Sequence, residues 1–226
     1  DKSSKKVKKQ ENCLYLHKIC TMDKRKRNIL IGILSSIIAL LILVAGSVYY
    51  LFFSCPFQIS GTTYIYIDHD DNIDSVYTKI IDTAHPKSMK GLELLAQKND
   101  YANHIKTGKY AINPNDNMRY LERRLRLGYQ TPVNLTIGSV RTLDRIARNA
   151  SLQLMIDSTD IAQLLADTAY IHSIGYSKET LPSLFIPNTY EVYWNMSADA
   201  FMKRMQKEHA AFWNEERRGK AANIGL

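Results

Sequence analysis

The chain has 226 residues, 45% of them hydrophobic, and a formal charge of +8. The charge is concentrated at one end: residues 1–28 hold ten Lys and Arg against three Asp and Glu, and the remainder holds 20 against 19. A body so close to neutral has no basic footprint, which argues against a nucleic-acid partner.

The tail begins with Asp, and Met22-Asp-Lys-Arg-Lys-Arg followed by apolar residues reads as an ordinary start for a membrane anchor. The expectation is either a true start at Met22 or a genuine Lys-rich tail. Cys13 and Cys20 have no His or Cys partner at metal-binding spacing.

From Ile29 to Phe53 no residue is charged. A bilayer core needs roughly 20 apolar helical residues, and the apolar part of a signal peptide only about 7–15. The run therefore predicts a transmembrane helix, against the alternative of a buried core helix. Lys24-Arg25-Lys26-Arg27 precede it, and no Lys or Arg follows until Lys79. That asymmetry predicts a cytoplasmic N-terminus and a body outside. Tyr49 and Tyr50 stand where interfacial aromatics belong. Cys55 raises a lipoprotein reading, but Phe52-Phe53-Ser54-Cys55 is a poor processing site. The 171 residues after Cys55 contain no cysteine, so the body must rely on a core instead of internal disulfides.

In the body, Thr62–Ile67 is β-branched and aromatic and predicts a strand. Asp68–Asn72 reads as a turn. Ile73, Val76, Tyr77, Ile80, Ile81 and Ala84 fall on one helical face, ended by Pro86. A second helix is expected over Met89–Gln97, with Leu92, Leu95 and Ala96 inward. Tyr110 and Ile112 belong to a short strand. Pro114-Asn115-Asp116 forms a turn and cap, Met118, Leu121 and Leu125 a helical stripe, and Gly128 its stop. Thr131–Ile137 predicts a strand with Val133, Leu135 and Ile137 on one side. Beyond it, Leu143, Ile146, Ala147 and Ala150 mark one helix and Ile161, Leu164 and Leu165 another. Ser197 can cap a longer helix bearing Phe201, Met205, Glu208 and Phe212. Leu181–Trp194, with two prolines and no clear period, reads as a shaped loop.

There is no Gly-rich phosphate loop, no H-E-x-x-H and no G-x-S-x-G. His69 among Asp68, Asp70 and Asp71 is the best metal guess, against a solvated turn; no metal or other cofactor is expected. The candidate site is the Pro187–Trp194 segment. Asn188, Thr189, Tyr190 and Glu191 offer hydrogen-bonding groups beside Tyr193 and Trp194, the mixture a sugar groove needs. The alternative is an aromatic segment packed on the core.

Gly108-Lys-Tyr-Ala-Ile, Leu121…Leu127-Gly128…Val133…Ile137-Gly138 and Phe185-Ile-Pro-Asn-Thr-Tyr-Glu follow the apolar run in an order that resembles the MltG (YceG-like) family of membrane-anchored endolytic lytic transglycosylases. The family often has Pro-Asp-Thr-Tyr where this chain has Pro187-Asn188-Thr189-Tyr190, and a Glu-Gly pair where Pro182 and Ser183 stand. The resemblance covers residues 29 to about 220. It implies an α+β fold: a basic cytoplasmic tail (1–28), a transmembrane helix (29–53), a LysM-like subdomain (54–138) and the mainly helical start of a catalytic domain (139–226).

The resemblance also implies a reaction. The family cleaves the MurNAc–GlcNAc β-1,4 bond of peptidoglycan without water, leaving 1,6-anhydro-MurNAc ends. One glutamate acts as acid and then base, and the sugar's own 6-hydroxyl replaces the second carboxylate of ordinary glycosidases. That glutamate lies in a Ser-Ile-Ile/Val-Glu-x-Glu helix, expected beyond Leu226. Glu179, Glu191 and the Glu215-Glu216 pair do not match it. Implied substrate contacts are Asn188, Thr189, Tyr190 and Glu191. Implied partners are glycan strands, the bacterial plasma membrane and peptidoglycan synthases. A non-catalytic, membrane-anchored peptidoglycan-binding or scaffold protein is the alternative.

Overall fold

The computed structural model describes residues 24–54, 56–139 and 142–225. Cys13, Cys20, Met22 and Cys55 lie outside the described residues. The chain divides into two compact units, Asp1–Ser54 and Cys55–Leu226.

The first unit contains one helix, α1 (Lys24–Phe53), of 30 residues with none buried. It starts in the basic cluster and runs through the whole apolar segment. At about 1.5 Å per residue this is more than a bilayer's hydrocarbon thickness. The helix is long and apolar enough to cross a membrane, and its place near the N-terminus also suits a signal sequence.

The second unit is α+β and mostly helical. In chain order it holds β1 (Thr63–Ile67), α2 (Ile73–Ala84), α3 (Lys90–Lys98), β2 (Gly108–Ile112), α4 (Met118–Leu127), β3 (Val133–Ile137), α5 (Leu143–Ser151), α6 (Ser158–Ala166), α7 (Thr168–Ser173), β4 (Asn188–Val192), α8 (Ala198–Phe212) and α9 (Glu215–Asn223). Short 3₁₀ turns lie at Tyr101–Asn103 and Leu181–Leu184.

Local chemistry explains most of the boundaries. The side chains of Asn72, Asn117 and Ser197 accept from the backbone N–H groups of Ser75, Tyr120 and Ala200, capping α2, α4 and α8. The cap of α4 is thus Asn117, and Asp116 does other work. Gly128 ends α4 at φ 74°, its N–H turned back to the Arg124 and Leu125 carbonyls. The exit from α2 is made one residue before Pro86, by His85 at φ 43°. A proline disfavours the α region for its predecessor, so the helix stops there.

Two cores form. The first lobe packs α2, α3 and α4 on the antiparallel β1–β2 pair, with Ile65, Ile67, Val76, Ile80, Leu92, Tyr110, Ile112, Leu121 and Leu125 buried. Alternation puts Ile65 and Ile67 inward and leaves Tyr64 and Tyr66 facing out. Leu95 and Ile81 differ from expectation: Leu95 is half-buried and Ile81 is 46% exposed. Glu122 is the buried charge among the described residues, held by Asn99 Nδ2 at 2.7 Å and Arg126 Nε at 2.8 Å. Removing Arg126 would leave that carboxylate buried without its counter-charge.

The second lobe gathers Leu135, Ile137, Ile146, Ile161, Leu165, Ile171, Leu184, Phe185, Tyr190, Val192, Phe201, Met202 and Met205. Here β3 and β4 pair antiparallel, with Leu135 opposite Tyr190 and Val133 opposite Val192. This changes two expectations. β3, expected beside the strands before it, pairs with β4, and its Leu135 and Ile137 belong to the second core. Part of the segment read as a loop is a regular strand. Helices α7 and α9 were also not anticipated.

The lobes meet along a seam. Trp194 packs edge-on against Tyr66 with ring centroids 4.9 Å apart. Asn195 Nδ2 donates to the carbonyl and hydroxyl oxygens of Thr107, each at 3.0 Å. The Thr131 N–H donates to the Lys109 carbonyl at 2.7 Å, and its hydroxyl accepts from the Ala111 N–H at 3.2 Å. At Gly108 (φ 147°) a Cβ would run into the Gln130 side chain, so glycine allows this approach.

Candidate functional site

The β3–β4 ribbon positions the candidate residues, and strand alternation divides them. Thr189 and Glu191 point to the outer face, opposite Thr136 and Asn134 respectively. The Thr136 and Thr189 hydroxyls lie 3.1 Å apart. Asn134, Thr136, Thr189 and Glu191 thereby form one exposed polar patch. Gln153 holds the free edge of β3, accepting from the Thr136 N–H at 2.9 Å and donating to the Thr136 carbonyl at 3.1 Å.

Tyr190 takes the opposite direction. It is 3% exposed and belongs to the core, with its hydroxyl donating to the Ile186 carbonyl at 2.5 Å. Burial, then the nearby Glu208 carboxylate, raises its phenol above the usual value against a smaller effect of Arg204. Its ring is architecture, not part of the outer face. Asn188 is exposed at the strand's start, where its side-chain oxygen accepts from the Thr189 N–H at 2.8 Å.

A cavity of about 520 Å³ opens beside β4, lined by Pro132, Glu191, Val192, Tyr193, Met196, Ala200 and Arg204. Asn188 and Thr189 are not among its walls. Tyr193 is 57% exposed, so its ring offers a flat apolar surface. Arg204 reaches the cavity from α8 and is ion-paired with Glu208 one turn on, Nε to Oε1 at 2.8 Å. This Nε is buried but not aligned for a hydrogen bond. Arg204, Pro132, Met196 and Ala200 had no signal in the sequence. They come from a loop and a helix that only packing brings to β4.

A second cavity, about 540 Å³, lies between α8 and α9, lined by His209, Trp213, Arg218 and Ala221. The Tyr176 hydroxyl lies 3.2 Å from His209 Nδ1. Burial first, and Arg218 second, lower the imidazole below its ordinary value. Among the described residues no cluster of His, Cys, Asp and Glu could hold a metal. The Asp68–Asp71 turn is instead tied to Lys79, which bonds both carboxylates and the Tyr66 carbonyl.

The outer site thus joins an exposed carboxylate, a guanidinium and an aromatic ring at one open cavity, with the hydroxyls of Thr136 and Thr189 farther along the ribbon and outside its walls. That arrangement can hold a polar, ring-shaped ligand. Among solved structures, a YceG-like protein from Listeria monocytogenes is similar at 18% identity and a TM-score of 0.42, over 74% of this chain and 60% of that one. The chain therefore spans less than two thirds of that protein's length. No curated protein matches it. A model of the YceG-like family matches residues 65–225, from β1 through α9, and the chain belongs to the YceG-like family.

Proposed function

We propose that this protein is a membrane-anchored lytic transglycosylase of peptidoglycan. In this reading α1 anchors it in the bacterial plasma membrane with the N-terminus cytoplasmic, and the second unit meets nascent glycan strands outside. The first lobe is the LysM-like subdomain. Its order of strand, helix, helix, strand with β1 and β2 antiparallel supports that reading.

One observation carries the proposal. The segment that resembles the family's Pro-Asp-Thr-Tyr motif forms β4, and β4 puts Glu191 on the wall of an open cavity beside Tyr193. Polar acceptors next to a flat aromatic face suit a pyranose ring and its hydroxyls. Glu191 is exposed, whereas a proton donor for glycoside cleavage sits in a dry setting. Glu191 therefore suits holding the strand and not donating the proton. Asn188 and Thr189 extend the contact surface along the strand, and Tyr190 supports it from behind.

The test is product analysis. Protein from the complete coding frame, incubated with uncrosslinked glycan strands, should release fragments ending in 1,6-anhydro-MurNAc, identified by mass spectrometry. Binding without products from the complete protein would favour the scaffold role instead.

A further inference from the structure

The cavity beside β4 has two charged lining residues, Glu191 and Arg204, and its other walls are Pro132, Val192, Tyr193, Met196 and Ala200. Among the described residues no ion pair joins the two. Arg204 pairs instead with Glu208, through Nε alone. Its two Nη groups have no hydrogen bond among the described residues, and Glu191 has no ion-pair partner there either. A guanidinium carries five N–H donors in a flat fork that fits a carboxylate by two parallel bonds, and it can serve two carboxylates along different edges.

The two walls also differ in what they accept. Glu191, as a carboxylate, takes hydroxyl and amide donors and repels an anion. Arg204 takes acceptors only, and best an anionic one. A neutral sugar would leave the Nη groups of Arg204 without a charged partner. A ligand with donors at one end and a carboxylate at the other would satisfy both walls, and reversing it would set like charges together.

We propose that Arg204 is a specificity residue of this cavity, recognising a carboxylate carried on a side branch of the glycan while Glu191 accepts from its hydroxyl or amide groups. This rests on the glycan reading above and adds the chemical class of the substituent. Glu208 steadies the guanidinium and is not itself the contact.

Binding measures the effect directly. The detergent-solubilised full chain is titrated calorimetrically with soluble glycan strands bearing free side-branch carboxylates, and with the same strands after amidation of those carboxylates. Wild type should prefer the free-acid strands by about tenfold or more. Arg204→Gln should bring that ratio close to one, Arg204→Lys should retain part of it, and Glu208→Gln should preserve it. Circular dichroism confirms that each variant is folded. A preference that survives in Arg204→Gln, or its absence from wild type, overturns the assignment while leaving the glycan reading intact. Failure of wild type to bind either strand overturns both.

Discussion

Trp194 meets Tyr66 edge to face, 4.9 Å between ring centroids, although 128 positions separate them in the chain. Tyr66 comes from the outer face of β1 in the first lobe, and Trp194 from just after β4 in the second. Next to them Asn195 donates twice to Thr107. Trp194, the last residue of the candidate segment, and Asn195 therefore take part in holding the lobes together.

Removing Trp194 should loosen that seam without emptying either core. Trp194→Ala should cost about 2 kcal/mol, below the ~3–5 kcal/mol of a fully buried aromatic, because the ring is half-buried. Scanning calorimetry should show a lower Tm and a transition broadened towards two. An unchanged, single sharp transition would mean that the contact contributes nothing to coupling.

Tyr190 and Thr189 separate support from contact. Tyr190→Phe removes a buried hydrogen bond and should destabilise by about 1 kcal/mol, and Tyr190→Ala by about 3–5 kcal/mol. Thr189→Ala, on the exposed face, should stay within about 0.5 kcal/mol. Chemical denaturation of the three variants checks the order. A Tyr190→Ala protein as stable as wild type would place that ring outside the core.

Acid should release the Asp116 clamp. Burial raises this carboxyl, but hydrogen bonds from Arg124 and the Asn113 backbone outweigh it and hold it below its ordinary value. A carboxylate depressed in the folded state adds stability that is present above about pH 4 and lost as pH falls through the lower folded value. Asp116→Ala should therefore cost about 2 kcal/mol at pH 7 and progressively less as the pH falls below about 4. An equal loss at every pH would show that packing, not charge, is what the residue supplies.

Orientation is testable apart from chemistry. A reporter active only in the cytoplasm should be silent when fused after Leu226, because the Lys and Arg flanking the apolar helix all lie before it. Strong cytoplasmic signal would reverse the topology and remove the peptidoglycan reading with it.

Several elements were legible before folding because their determinants are local. The apolar run of α1, the cap Ser197, the stop at Gly128, and the stripe of Met118, Leu121 and Leu125 each act within one or two helical turns. The alternation of Tyr64, Ile65, Tyr66 and Ile67 likewise needs only neighbouring residues. The segment around β4 misled because Pro187 and the aromatics Tyr193 and Trp194 mask a short period of two, in which only Tyr190 and Val192 face inward.

By itself the sequence determined the helix long enough for a membrane, the α+β class, a few helix ends such as Gly128 and Ser197, and the polar candidates on one segment. Tertiary structure alone decided that β3 leaves its sequence neighbours to pair with β4, 51 residues downstream at the closest register pair. It also decided that Tyr190 supports the site while Glu191 faces it, and that Arg204 joins it. The reason is physical. Caps and turns are satisfied by bonds a few residues apart, whereas strand pairing and cavity walls are chosen by which apolar faces can be buried together, and that depends on the whole chain.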